Sequence, residues 1–332
     1  MFALDRLGRP RNGVVRGAAD RLAASHGQRF ALGSVAFELL ASSSGVEQGV
    51  GPTRGFMLEP DAARYCIAAD RHPVVADVLC SVAIDDALFE GASPFGGLEL
   101  PDGTIADLAD GELTLHAPRA RATLCRIAPH RYACSARIAS DPMALTVLLR
   151  SIVAVVVHDV GGLIVHAAGI ALGERAVIYV GPSGAGKSTA ATLTDGARMF
   201  AADHVALLPQ RDGSVLAYGL PGGNAATMTH TAEVVWPLAG VFRIQRDGAD
   251  VPLPHVPRAR CLSGAEALFA LREAVESADV SPAAEQTRLS AVSAIAAAVT
   301  IGTLHTVLGT QVGELVREQL GSCDVDAREA RA

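Results

Sequence analysis

The chemistry-bearing stretch of this 332-residue sequence is Gly181-Pro182-Ser183-Gly184-Ala185-Gly186-Lys187-Ser188-Thr189. It fits the pattern G-x-x-x-x-G-K-[ST], in which a loop of backbone amides closes around phosphate oxygens. Its setting suits that task. The β-branched run Val177-Ile178-Tyr179-Val180 leads into it, and an alanine-rich stretch with helical character leaves it. Gly181, Gly184 and Gly186 let the backbone curl so that successive N–H groups point inward. Lys187 is then the charge for the outer phosphates and Ser188 the hydroxyl ligand of Mg²⁺. ATP and Mg²⁺ are the expected cofactors, with residues 181–189 as the nucleotide-binding set.

The sequence holds 28 basic side chains, and Lys187 is the single lysine among them. Arginine is a broad planar fork, whereas lysine is a slim point charge able to enter a ring of amides. The placement marks a position that arginine does not fit. A second group follows soon after. Asp203 ends the apolar run Arg198-Met199-Phe200-Ala201-Ala202, sixteen residues beyond Lys187. One helix and one return strand span that interval, which brings Asp203 beside the outer phosphate. A carboxylate there can ligate Mg²⁺, accept a proton from an attacking hydroxyl, or do both. Ser188 and Asp203 are therefore the expected metal ligands.

These residues need elements to hold them. Residues 1–140 read as a β-rich domain, with strands expected at 30–40, 64–69, 74–84, 112–116, 122–127 and 132–138. No chemical motif appears among them. Residues 144–158 form a buried apolar helix joining two halves, so the second domain spans 141–332. Within it, 163–166, 169–172 and 176–180 read as short strands broken by glycines. A helix over 187–194, a strand over 198–202, and a hairpin of 205–209 with 215–218 turning at Arg211-Asp212-Gly213 follow. Helices are expected at 264–276, 282–299 and 312–320. Arg243, Arg246, Arg258 and Arg260 fall in a loop-rich stretch, as candidates to clamp a transferring group. The loop Gly219-Leu220-Pro221-Gly222-Gly223-Asn224 is a candidate to approach nucleotide or acceptor.

Four features resemble the HPr serine kinase/phosphorylase catalytic domain, itself related to phosphoenolpyruvate carboxykinases. They are the strand Leu163-Ile164-Val165-His166-Ala167-Ala168-Gly169, the fifteen-residue step from His166 to Gly181, the phosphate loop, and the run ending in Asp203. That family shows a His-Gly-Val element, a GxSGxGKS loop and an Ala-Asp-Asp motif at similar separations. The resemblance covers about residues 160–220. It implies an α/β (α+β, mixed-sheet) P-loop core, with Asp203 as base toward a serine hydroxyl and His166 as the active-site histidine. It also implies Lys187 and Ser188 as nucleotide and Mg²⁺ ligands. Two departures stand out. The second Asp of the acidic pair is His204 here, leaving the metal site one carboxylate short, and residues 1–150 carry no trace of the family's N-terminal domain. The likeness is therefore to divergent relatives, some of which phosphorylate serine on ribosomally made peptides. Catalytic roles fall to Asp203, Lys187 and His166; His204 is left between ligand, phosphate contact and solvent, and the other eight histidines carry no assignment.

Composition narrows the class. Half the residues are hydrophobic and 19% are charged, with a net charge of −7. The apolar residues are dispersed, with no run near the ~20 residues that span a bilayer. The charge disfavours a nucleic-acid partner. The six scattered cysteines, without a CxxC pair, read as reduced thiols. The expectation is a cytoplasmic Mg²⁺–ATP kinase acting on a peptide or protein hydroxyl, with no nucleic-acid or membrane partner and homo-oligomerisation left open. A small-molecule kinase and a nucleotide-binding scaffold without transfer activity are the alternatives.

Overall fold

The computed structural model describes residues 28–32, 35–41, 66–67, 76–85, 88, 98–99, 105–109, 112–117, 119–140, 142–220, 235–245, 257–276, 282–307 and 311–329. They fall into two compact units, residues 1–160 with 277–281, and residues 161–276 with 282–332. The division comes after the helix expected to open the second domain, so that helix belongs to the first unit.

The first unit holds strands β1 (Gln28–Leu32), β2 (Val35–Ala41), β3 (Cys66–Ile67), β4 (Ala76–Ile84), β5 (Leu98–Glu99), β6 (Ile105–Ala109), β7 (Glu112–Ala117), β8 (Ala120–Ala128) and β9 (Arg131–Ile138). They form one sheet in the order β3-β1-β2-β4-β9-β8-β7-β6-β5. The single strand expected over 30–40 is two, β1 and β2, paired antiparallel from Gln28 with Leu39 to Leu32 with Val35. Strands such as β7 alternate buried and half-buried residues, the two-residue period of a sheet covered on one face. Helix α1 (Pro142–Asp159) buries Leu145, Leu148, Leu149, Ile152, Val153, Val156 and Val157. That spacing is a helical stripe. At its last residue the Asp159 carboxylate accepts from the Tyr132 hydroxyl and from Arg126 at 3.1 Å, tying the helix end to β8 and β9. Cys80, Cys125 and Cys134 are free and buried. Cys261, in the second unit, is disulfide-bonded, which corrects the reading of reduced thiols throughout.

The second unit is built on β10 (Leu163–Leu172), a ten-residue strand where two short ones were expected. Gly169 does not break it. A Cβ at Gly169 would stand 2.6 Å from Phe200 Cζ, so the glycine admits the aromatic ring rather than a turn. Around β10 lie β11 (Arg175–Val180), β12 (Ala197–Ala201), β13 (His204–Pro209), β14 (Val215–Leu220), β15 (Val235–Gln245), β16 (Arg258–Cys261), β17 (Val275–Glu276) and β18 (Thr300–His305). The path runs β11-β10-β13-β14-β15-β18-β16, and β11 also pairs parallel with β15. The arginine stretch read as loop is therefore largely strand. Arg243 lies on β15, Arg258 and Arg260 on β16, while Arg246 lies outside the described residues. β15 is flanked by three strands and buried on both faces, so it lacks the alternation that marks a strand in sequence.

Helices cover both faces of this sheet. α2 (Lys187–Thr192) packs Ala190 and Ala191 against Ala168, Ile170, Val177 and Tyr179, and the start of α5 (Gly313–Glu329) adds Val316. On the other face α3 (Gly264–Arg272) and α4 (Pro282–Ala298) bring Ala267, Leu271, Val292 and Ile295 onto Leu163, Val165, Ile178 and Val241. The result is a mixed α/β layered core. Among the described residues no helix is long and apolar enough to cross a membrane.

Candidate functional site

The site lies where β10 changes partners. Along residues 163–166 its neighbours are β13 and β17; along 167–172 they are β11 and β12. Both edges switch at the same point. The His166 N–H donates to Ala274 O at 2.9 Å on one side, and the Ala167 N–H donates to Asp203 O at 2.8 Å on the other. Asp203 sits in the bend between β12 and β13, held by that bond at the level of Ala167. Ala167 also pairs with Val180, the last residue before the phosphate loop. Four chain segments thus meet at residues 166–167, and each delivers a polar residue.

Alternation along β10 decides which face they share. Val165 and Ala167 belong to the core under α3 and α4, and Ala168 and Ile170 to the core under α2. His166 therefore points to the α2 side. His204 is its direct cross-strand partner and Glu276 pairs with Ile164, so both lie on that same face.

The side chains close a ring. His166 Nδ1 is 3.3 Å from Asp203 Oδ1 and 3.4 Å from Glu276 Oε1. His204 Nε2 is 3.1 Å from Glu276 Oε2, and its Nδ1 is 3.2 Å from Asp203 Oδ2. The two imidazoles stand edge to face, with centroids 5.9 Å apart. His204 is 7% exposed, and although its Nδ1 is near Asp203 it makes no hydrogen bond there. Burial works to raise the Glu276 pKa, but hydrogen bonds and charge from His166 and His204 outweigh it, and the carboxyl is pushed down to about 2. It is a carboxylate at neutral pH.

The glycine loop 181–186 follows β11, whose last residue pairs beside this ring. Gly181, Gly184 and Gly186 take φ of +148°, +74° and +99°, values that L side chains adopt rarely. Pro182, Ser183, Gly184 and Thr189 are exposed, whereas Ala185 and Lys187 are buried, and Gly186 and Ser188 lie between. The Lys187 Nζ donates to Gly181 O at 3.0 Å and Pro182 O at 3.2 Å. Burial lowers the Lys187 pKa, and the charges of Asp203 and Glu276 act in the opposite direction. The ammonium thus lies within the field of both carboxylates. α2 ends at Thr192, two residues short of the expected Thr194. The loop curvature, more than a six-residue helix, directs its amides.

Asp203 and His166 are thus brought into contact, and the strand that enters residues 181–189 pairs beside them. His204, left open in sequence, is a full member of the ring. Glu276 was missed. It was placed at the end of a helix over 264–276, but α3 stops at Arg272, and after a turn Val275 and Glu276 pair with β10. A two-residue strand has no periodicity to read. Arg243 pairs with Val180 at the loop entrance and bonds to Glu273 at 2.8 Å. Arg260 pairs with Glu266 at an edge strand. In the loop 219–224, Gly219 and Leu220 end β14, and 221–224 lie outside the described residues.

No protein-family model matches the sequence, and no curated protein is similar to it. Among solved structures the chain is similar to the HPr(Ser) kinase/phosphatase from Coxiella burnetii, at 11% identity and a TM-score of 0.30, over 51% of this chain and 94% of that one. The likeness is distant and structural.

Proposed function

We propose that this chain is a Mg²⁺- and ATP-dependent kinase that transfers the γ-phosphoryl group to a serine or similar hydroxyl of a peptide or protein. The observation that carries the proposal is the convergence of the Asp203 and Glu276 carboxylates on His166. One residue on, Ala167 pairs with Val180 at the entrance to the glycine loop, whose Lys187 Nζ is held by Gly181 O and Pro182 O.

The loop amides of 181–186 and the Lys187 ammonium bind the polyphosphate; on nucleotide entry the Nζ exchanges its two loop carbonyls for phosphate oxygens. Asp203 accepts the proton of the acceptor hydroxyl as that oxygen forms its bond to the γ-phosphorus. The bond from phosphorus to the β,γ-bridging oxygen breaks, and ADP leaves with the electron pair. His166, 3.3 Å from Asp203, orients that carboxylate and can pass the proton onward. The residues present suit a hard divalent cation, since the Ser188 hydroxyl and the Asp203 carboxylate are oxygen ligands. When bound there, Mg²⁺ neutralises charge on the phosphates. Glu276 supports the reading further, because it supplies the second carboxylate that His204 takes from the acidic pair.

Incubation with γ-labelled ATP and peptides encoded beside this gene is expected to label a peptide, and Asp203→Asn to abolish the label. Labelling that persists in Asp203→Asn overturns the role of Asp203. ATP binding without transfer to any acceptor overturns the kinase assignment in favour of a nucleotide-binding scaffold.

A further inference from the structure

His166, His204 and Glu276 gather two imidazoles and one carboxylate in one place. One ligand atom from each lies within 4.8 Å of the other two. Two are imidazole nitrogens, which hard cations such as Mg²⁺ do not select and borderline transition metals do. The separations also suit an ion. Two ligand atoms each about 2.0–2.1 Å from a tetrahedral metal stand roughly 3.3–3.4 Å apart. His166 Nδ1 to Glu276 Oε1 is 3.4 Å, and His204 Nε2 to Glu276 Oε2 is 3.1 Å.

A second observation is independent of the spacing. His204 is buried at 7% exposure, and its Nδ1 is a buried nitrogen without a hydrogen bond. An imidazole ligating through Nε2 turns Nδ1–H toward a carboxylate, as metal-bound histidines commonly do. Asp203 Oδ2 stands 3.2 Å from that nitrogen. A metal at Nε2 would leave the proton on Nδ1, on the side where Asp203 stands. The ligands are also well anchored. His166 and His204 face one another across the β10–β13 ladder, and Glu276 is held on the opposite edge of β10.

We propose that His166, His204 and Glu276 hold one divalent transition-metal ion of the Zn²⁺ or Co²⁺ type, with Asp203 beside both imidazoles. The set shares His166, Glu276 and Asp203 with the proposed nucleotide site and differs from the Mg²⁺ position, which takes oxygen ligands from Ser188 and Asp203. The two are separable by experiment.

Protein stripped with EDTA is titrated calorimetrically with Co²⁺ and with Zn²⁺, in the presence and absence of millimolar Mg²⁺. One ion per chain is expected, with Mg²⁺ failing to displace it, and visible Co²⁺ absorption accompanying uptake. His166→Ala and Glu276→Gln are each expected to weaken binding at least about tenfold, with unchanged far-ultraviolet circular dichroism. Lys187→Ala removes nucleotide binding and leaves metal uptake intact, so a failure of the kinase reading is distinguished from a failure of this one. Absence of uptake at millimolar Co²⁺, or uptake undiminished in both His166→Ala and Glu276→Gln, overturns the proposal.

Discussion

His204 Nε2 stands 3.1 Å from Glu276 Oε2, joining the residue that follows Asp203 to a two-residue strand far along the chain. That contact brings a second carboxylate, besides Asp203, against the same pair of imidazoles. Glu276 is half-enclosed and ionised, and it faces the same imidazoles as Asp203. The two carboxylates come from the bend between β12 and β13 and from β17, on opposite edges of β10.

Glu276→Gln keeps the shape of the side chain and removes its charge. In a kinase assay its turnover is expected to fall on the order of 10²-fold, within the range of a misplaced acid–base group. The KM for ATP should change little, because the loop amides and Lys187 are untouched. An unchanged turnover shows that Glu276 is outside the chemistry.

Lys187→Arg tests the fit of the sole lysine. The residue is buried, at 7% exposure, and its Nζ reaches two carbonyls inside the loop. A guanidinium is a broad planar fork where the ammonium is a compact point charge. Nucleotide affinity by calorimetry is expected to drop about tenfold or more, roughly the loss of one charge-assisted hydrogen bond. Wild-type affinity in the arginine variant means that the loop is open enough to take either cation.

Gly169→Ala places a methyl group 2.6 Å from Phe200 Cζ, and the Phe200 ring is fully buried. Overpacking of this kind destabilises by about 1–3 kcal/mol. Chemical denaturation should show a lower midpoint with an unchanged slope. A Gly169→Ala, Phe200→Leu double variant should recover part of the loss.

Cys125 carries a thiol that burial, aided by the nearby Glu112 charge and a hydrogen bond to Glu112, pushes up to about 12. A raised thiol pKa keeps the folded form protonated, so this contribution to stability is complete below the ordinary value near 9. It fades as pH rises toward 12. Native protein at pH 8 should leave Cys80, Cys125 and Cys134 unmodified by iodoacetamide, and urea should expose all three. Mass spectrometry of the alkylated peptides reads the result.

Tyr132→Phe removes a hydroxyl that donates to Asp159 and leaves Arg126 as a remaining donor to the same carboxylate. The expected destabilisation is about 1–2 kcal/mol, because the hydrogen bond is to a charged acceptor that keeps another donor. Urea denaturation measures it. A variant as stable as the parent places the Arg126 contact as sufficient by itself.

Much of the fold's local content is visible in linear order. Strands β4, β7, β8 and β9 are legible because one face is buried and the other is not, so polarity alternates. β10 misled through Gly169, because a glycine in sequence does not reveal whether it serves a turn or an aromatic neighbour. β15 and β18 are hidden by burial on both faces, which erases alternation. The end of α3 was overrun because Ala274-Val275-Glu276 is compatible with helix until its pairing with β10 is known.

The amino-acid order alone determined the glycine-rich loop, the singular lysine and the short step to Asp203. Each of these depends on neighbours within one strand–loop–helix–strand segment, where backbone geometry follows from residue type. Tertiary structure decided the rest. It brought Glu276 and His204 together across strands that share only their pairing to β10, and it set His166 on the same face as the loop. Contacts between residues distant in sequence are fixed by strand partners, and a partner is chosen by the packing of the whole sheet rather than by any local signal.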